Sequence, residues 1–256
     1  MSRDPFASLK PLNEATYRRH VRRALSNDEL AALMAAARTR PLAEKTKERI
    51  YKGVTPKERA KLLALGRVRA LAYAVAAGTG LRRGELKRLR RQDVDLDKRI
   101  VYVPAASAKS RRDQSVPLRS DLAADLAAHL PKVGAPSDPV FPGRQFPTLR
   151  TFKRDAVAAG LGTMERAKGA ATGCEEFDLE DKSGRSLDFH CLRVTFVSGL
   201  VAAGTHPRVA QALARHAKIE TTMAIYTDLN ALDLRGAVER LAPAAAAARR
   251  SRASTG

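Results

Sequence analysis

The sequence predicts a mainly α-helical fold of the α+β class, with one small antiparallel β-sheet. Helix start signals recur along the chain, and apolar residues three or four positions apart follow them. From Arg99 the apolar spacing changes to every second residue, which indicates strands. The chain has 256 residues, enough to bury a core as one large domain or two small ones without disulfides.

The N-terminal part is predicted as a basic arm followed by two helices. Residues 1–25 are polar and basic, and we expect a linker or a free arm there. Ser26 and Glu29 form a capping box that predicts the start of the first helix. A loop rich in Lys and Glu should follow the apolar stripe of that helix. Thr55 as N-cap with Pro56 behind it predicts a long, buried second helix.

The remaining elements are predicted as a hairpin with a basic tip, several short helices and an acidic loop with room for a short strand pair. In chain order they are strands at 100–104 and 115–118, helices at 120–130 and 149–159, the loop at 161–185, a helix that carries His190 and Arg193 on one face, a helix at 207–215 and a short segment from Thr221 to Tyr226. After residue 226 we expect an amphipathic helix to about residue 242 and a disordered tail at 243–256.

Composition narrows the class of function. The formal net charge is +20, which favours a polyanionic partner, and nucleic acid is the commonest one. Cys174 and Cys191 are the two cysteines and lie in no CxxC or Cys/His cluster, so we expect neither a disulfide scaffold nor a metal site. We find no apolar run long enough to span a bilayer, and therefore expect a cytoplasmic protein with no membrane partner.

One contiguous stretch, 188–228, gathers residues suited to phosphodiester chemistry. His190 and Arg193 lie three apart, His216 follows, and Tyr226 comes ten residues after His216. Taken singly, each would more often be a structural residue. Together, a tyrosine oxygen can attack a phosphodiester while cations stabilise the charge of the transition state.

This ordered series resembles the C-terminal signature of the tyrosine recombinases, the phage integrase family. The T-G-L-R sequence that ends at Arg82 is similar to the family's first arginine box, where Glu85 would help to fix the turn. Lys109 lies eight residues before the proline of a V-P-L strand, as the family's hairpin lysine does, with Arg111 and Arg112 as competing candidates. One departure is Arg215, because the family usually has glycine immediately before the second histidine.

The resemblance implies a catalytic domain at 26–242 that cleaves and rejoins DNA through a 3′-phosphotyrosyl bond, with no cofactor. Tyr226 would attack the phosphate, two arginines would clamp its oxygens, and His216 would donate a hydrogen bond to it. His190 would accept the tyrosine proton, and Lys109 would protonate the leaving 5′ oxygen. The implied catalytic residues are Arg82, Lys109, His190, Arg193, His216 and Tyr226, and the further DNA contacts we expect are Arg83, Arg111, Arg112 and Arg215.

The partners implied are double-stranded DNA and other copies of the chain, as a homotetramer on DNA, with a monomer in solution as an open alternative. Family members usually carry a second DNA-binding domain before the catalytic one, and we expect it to be missing from this chain. The predicted helix after Tyr226 would dock on a neighbouring protomer or fold back on its own domain. Two alternatives are a type IB topoisomerase, which would relax DNA without choosing a site, and a non-catalytic DNA-binding remnant.

Overall fold

The structure is a computed structural model in which the chain forms two compact units, residues 1–196 and 197–256. It describes residues 21–48, 53–107, 112–131, 133–166 and 175–226. The described helices are α1 (Asn27–Glu48), α2 (Pro56–Thr79), α3 (Arg83–Arg88), α4 (Ser120–His129), α5 (Leu149–Ala158), α6 (Cys191–Ala202), α7 (Pro207–Ala214) and α8 (Ile219–Tyr226). The described strands are β1 (Val21–Arg22), β2 (Val94–Asp95), β3 (Ile100–Val103), β4 (Gln114–Pro117), β5 (Thr163–Arg166), β6 (Glu175–Asp178) and β7 (Arg185–Ser186).

Helix α1 begins as predicted but continues further. The Ser26 hydroxyl accepts the Glu29 amide at 3.1 Å, and the Glu29 carboxylate accepts the Ser26 amide at 2.9 Å. The prediction of a loop after the apolar stripe was wrong up to residue 48, because the helix continues to Glu48. Arg40 lies in this extension and pairs with the fully buried Asp155 of α5. This tertiary contact cannot be predicted from a local sequence pattern.

Helix α2 is the central helix of the first unit. It starts at the predicted cap, where the Thr55 hydroxyl accepts the Glu58 amide at 3.3 Å. At Gly66 an added Cβ would lie 2.1 Å from the Arg38 carbonyl oxygen, so only glycine permits this approach of α1. By length and composition α2 could span a membrane, which corrects the expectation that no segment could. Its buried residues belong instead to the core of the unit: Val68, Ala70, Ala72, Tyr73, Val75 and Ala76.

The predicted hairpin is confirmed and carries one additional strand. Strands β2, β3 and β4 form an antiparallel sheet in that order, with Ile100 opposite Pro117 and Val103 opposite Gln114. Val101 and Val116 face each other and are fully buried, which fixes the register. Residues 108–111 of the hairpin tip lie outside the described residues.

The acidic loop contains the short strand pair that the sequence allowed. Strands β5 and β6 pair antiparallel, with Thr163 opposite Asp178. Glu175 accepts hydrogen bonds from the Nε atoms of Arg154 at 2.9 Å and Arg150 at 3.0 Å, both on α5. The Arg154 bond, supported by Arg150, lowers the pKa of Glu175 to about 2. Glu175 therefore holds the β5–β6 strand pair against α5 of the same unit.

The last residues of the predicted arm contact the first unit. Strand β1 pairs in parallel with β7, and Arg22 donates to Asp188 at 2.7 Å. The Leu25 amide donates to the Thr195 hydroxyl of α6 at 2.9 Å. Residues 21–25 thus contact the first unit through both backbone and side-chain partners near the start of α6. The boundary predicted after residue 25 stays a prediction, and residues 1–20 lie outside the described ones.

An aromatic cluster fills the core of the first unit. Phe189 packs within 5.7 Å of Phe152, 5.8 Å of Tyr73 and 6.2 Å of Phe146, measured between ring centroids. The Tyr73 hydroxyl donates to Asp155 at 2.7 Å, and burial, followed by the charge of Asp155, raises the pKa of Tyr73 well above its usual value. Phe189 directly precedes His190, so this cluster sets the position of the segment that leads into α6.

The second unit contains α7 and α8, which contact each other. Gly204 has a φ of +71° and ends α6 as predicted, and α7 starts at Pro207 behind His206, whose Nδ1 accepts the Arg208 amide at 3.2 Å. Helix α8 extends the predicted segment by two residues toward the N-terminus. Residues 227–256 lie outside the described residues, and with them both the predicted helix after Tyr226 and the predicted tail.

Candidate active site

The first arginine lies at a tight turn between α2 and α3. Gly80 caps α2 in the left-handed conformation, with φ +62°. Arg82 follows, and its backbone amide and its guanidinium each donate to the Glu85 carboxylate at 2.9 Å. Glu85 is only 4% exposed, so this carboxylate is a fixed internal partner. The arrangement supports the turn-fixing role expected for Glu85, and it leaves the Arg82 side chain partly exposed.

The second arginine reaches the same turn from a distant part of the chain. Arg193 lies in the first turn of α6 and is 3% exposed. Its guanidinium donates to the carbonyl oxygen of Gly80, 113 residues away and two residues before Arg82. Arg82 and Arg193 are therefore held at one turn of the first unit.

The first histidine lies beside these two arginines but not on the helix. His190 precedes α6, which starts at Cys191, so its predicted place on a helical face was wrong by one residue. Its backbone amide donates to the Asp188 carboxylate at 2.8 Å, and this bond shapes the turn before the helix. An amide satisfied by a side chain two residues back is typical of such a turn rather than of a helix interior.

The electrostatic surroundings of His190 favour a neutral ring. The residue keeps an exposed face, but nearby protein atoms desolvate the ring, and this desolvation is the largest cause that lowers its pKa. The charges of Arg193, Arg22 and Arg82 lower the pKa further, while Asp188 opposes them. His190 is consequently an available proton acceptor at neutral pH.

The predicted DNA contacts have different surroundings. Arg83 packs its guanidinium 5.3 Å above the centre of the Phe146 ring and donates to the Pro147 carbonyl at 3.1 Å, which indicates a packing role. Arg112 is exposed. Arg215 is 6% exposed, and its contact with DNA stays a prediction. Lys109 and Arg111 lie outside the described residues, and their roles remain predictions.

In the second unit, the turn before His216 takes the backbone shape that glycine would favour. Arg215 has φ +56° and ψ +43°, which is left-handed and uncommon for a residue with a side chain. The His216 amide donates to the Gln211 carbonyl at 3.1 Å, and the Gln211 side chain donates back to the His216 carbonyl at 3.2 Å. These bonds fix the backbone of His216 despite the departure at Arg215.

The His216 ring has a buried partner that the sequence analysis did not single out. Its Nδ1 lies 2.9 Å from the hydroxyl of Thr222, which is fully buried in α8. Tyr226 ends the same helix, one turn after Thr222. Thr222 lies in the segment predicted from Thr221 to Tyr226, but only the folded turn shows what its hydroxyl contacts.

The structure thus groups Arg82, Arg193 and His190 in the first unit, and His216 with the helix of Tyr226 in the second. The phage integrase family model matches residues 23–232. The chain belongs to the phage integrase family. The family predicted from the ordered residues is confirmed, since the match covers both groups.

Other comparisons agree with this family. The chain is 28% identical over 163 residues to tyrosine recombinase XerA of Thermococcus kodakarensis, which covers 64% of the chain and 51% of that relative. It therefore spans about half the relative's length. The crystal structure of a XerA recombinase is similar to it with a TM-score of 0.54 and 24% identity, covering 88% of this chain and 67% of the other.

A lambda integrase structure is also similar, with a TM-score of 0.51 and 20% identity, covering 81% of this chain and 60% of the other. These two structural likenesses confirm the predicted fold class of this family member, a mainly helical domain with small sheets.

Proposed function

We propose that the chain is a site-specific recombinase that cleaves and rejoins double-stranded DNA through a phosphotyrosyl bond at Tyr226. Family membership supports the reaction class. The observation that carries the proposal within the first unit is the contact of the buried Arg193 guanidinium with the Gly80 carbonyl, beside Arg82. A buried arginine held against the turn of a second arginine suits the binding of one phosphate by two cations.

Each step of the proposed reaction exchanges one phosphodiester bond for another. The Tyr226 oxygen attacks the phosphorus, the bond to the 5′ oxygen breaks, and the protein is left joined to the 3′ phosphate. His190 accepts the phenol proton, and Lys109 supplies a proton to the departing 5′ oxygen. Attack by a 5′ hydroxyl on the phosphotyrosine reverses these transfers and rejoins the strand. The reaction consumes no nucleotide because the covalent bond conserves the energy of the broken one.

The arginines and the second histidine stabilise the charge that develops on the phosphate. Planar guanidinium groups match the geometry of paired phosphate oxygens better than an ammonium does. Arg82 is held by Glu85 and Arg193 by Gly80, so neither arginine must be ordered at the moment of reaction. His216 donates a further hydrogen bond to the same phosphate in this scheme.

Double-stranded DNA is the proposed partner, and a homotetramer on DNA is the proposed assembly. The net charge of +20 fits a polyanion, and the similar lambda integrase structure is described as a dimer bound to a core site. Affinity should fall steeply as salt rises, because phosphate contacts release counterions. The cytoplasmic location expected from the sequence belongs to the same proposal, since the substrate is DNA.

A covalent-trapping experiment tests the proposal. Nicked duplexes of random sequence release a short fragment after cleavage, so the reaction cannot reverse and protein–DNA adducts accumulate on denaturing gels. Adduct should form with the wild-type chain and be absent with Tyr226→Phe, while duplex binding in a mobility-shift assay remains. Sequencing of the trapped DNA should return one preferred site.

Three outcomes would favour competing explanations. Adduct that survives Tyr226→Phe would refute the assignment and direct attention to Tyr102, which is 40% exposed, rather than to the fully buried Tyr73. Trapped DNA without any preferred sequence, together with relaxation of a supercoiled plasmid, would favour a topoisomerase. Binding without adduct on any DNA would favour the non-catalytic remnant.

A further inference from the structure

The contact between His216 and Thr222 indicates which nitrogen of the imidazole ring carries the proton. Thr222 is fully buried, and its hydroxyl lies 2.9 Å from His216 Nδ1. Four other threonine hydroxyls inside the described helices donate to a carbonyl one turn back, those of Thr39, Thr46, Thr79 and Thr195. The partner that the structure shows for the Thr222 hydroxyl is instead the imidazole.

The direction of this hydrogen bond follows from the proton count. A hydroxyl has one proton to donate, whereas Nδ1 of a neutral imidazole either carries a proton or accepts one. If Nδ1 carried the proton, the buried Thr222 proton would be left without an acceptor, at a cost of about 1–3 kcal/mol. If Thr222 donates instead, the buried hydroxyl and Nδ1 are both satisfied, and the imidazole proton lies on Nε2.

We propose that Thr222 is a positioning residue that holds His216 in the tautomer with its proton on Nε2. The importance of this tautomer rests on the proposed function, in which His216 donates a hydrogen bond to the scissile phosphate. Only a protonated Nε2 can donate from that side of a neutral ring. Thr222 does not contact the reacting atoms. It acts through the ring, as partners of functional histidines commonly do.

The surrounding backbone supports this arrangement. The two hydrogen bonds with Gln211 fix the main chain of His216, so rotation about the side-chain bonds is the remaining freedom of the ring. The Thr222 hydroxyl then sets that rotation. Because Thr222 and Tyr226 lie one turn apart on α8, the same bond ties the His216 turn to the helix of the proposed nucleophile.

NMR of the ring tests the tautomer in the full chain without DNA and without any activity. The ¹⁵N and ¹³C shifts of a histidine ring distinguish the two neutral tautomers, and the signals lost in His216→Gln assign the ring among five histidines. We expect wild-type His216 at pH 8 to show a protonated Nε2 and a hydrogen-bonded Nδ1. A protonated Nδ1 in the wild type would overturn the proposal, whether or not the chain cleaves DNA.

Three variants separate the hydroxyl from its packing. Thr222→Val keeps the shape and removes the hydroxyl, so the Nδ1 hydrogen-bond shift should disappear and strand cleavage should fall about 10–100-fold with duplex affinity unchanged. Thr222→Ser keeps the hydroxyl and should restore both. Thr221→Val, at the exposed neighbouring position, should change neither. Equal effects of Val and Ser at 222 would show that packing, not the hydroxyl, matters, and would refute the proposal.

Discussion

Replacing Gly80 with alanine should disturb the turn that joins the two arginines. Gly80 has φ +62°, where a side chain is strained whatever the space. An added Cβ would also lie 2.5 Å from Cδ1 of the Phe196 ring, far inside van der Waals contact. The carbonyl of the same residue accepts the Arg193 guanidinium, so a shift of the turn moves that arginine's anchor.

The expected loss of stability has two parts. The left-handed conformation costs about 1–2 kcal/mol for a residue with a Cβ. Displacement of the Phe196 ring adds about 1–3 kcal/mol, typical of overpacking in a core, for about 2–5 kcal/mol together. Gly160→Ala is the matched control, because Gly160 has φ +76° but nothing within 4 Å of an added Cβ. It should lose only the backbone part.

Urea unfolding followed by far-UV circular dichroism measures both variants against the wild type. The Gly80 variant should have a free energy of unfolding at least 1 kcal/mol lower than the Gly160 variant, the minimum cost of overpacking. It should also form less covalent adduct at equal DNA binding, while Gly160→Ala should cleave normally. Equal destabilisation of the two variants would refute the close packing of Phe196 on Gly80.

Two further predictions concern buried and titrating groups of the first unit. Asp155→Ala should lower the free energy of unfolding by about 3–5 kcal/mol, since it removes the buried partner of Arg40 and leaves the guanidinium only the partly exposed Glu44 and the Thr151 carbonyl. Tyr73→Phe should cost about 1.5–3 kcal/mol, since it removes one hydrogen bond to the same carboxylate. Urea unfolding checks both, and an Asp155 variant milder than the Tyr73 variant would contradict the argument. Arg22→Ala should raise the pKa of His190, because it removes a nearby cation and frees Asp188, and NMR titration of the ring measures the change. Since the pKa of His190 is lowered in the folded chain, the unfolded chain binds a proton there before the folded chain does as pH falls below about 6.5. The stability that the neutral ring contributes is lost as pH falls from there through the folded pKa. This loss should be smaller in Arg22→Ala.

Sequence by itself determined the elements whose signals are local. The caps at Ser26 and Thr55 and the stop at Gly204 all depend on contacts within a few residues, and the structure has each of them. The ordered histidines, arginines and tyrosine sufficed to identify the family, because their order and spacing are themselves properties of the sequence. The extension of α1 to Glu48 was missed because it depends on a partner 115 residues from Arg40.

Only the tertiary structure decided what the functional side chains touch. The sequence predicted that Arg193 and Arg82 act together, but not that Arg193 is anchored on the Gly80 carbonyl, 113 residues away. It predicted Arg83 as a DNA contact, which stays a prediction, but not that its guanidinium packs on Phe146. It placed Thr222 in a short segment and gave it no role, whereas the turn after α7 brings its hydroxyl to His216. Local spacing fixes which face of an element a residue occupies, but the packing of elements distant in sequence decides which atoms meet there.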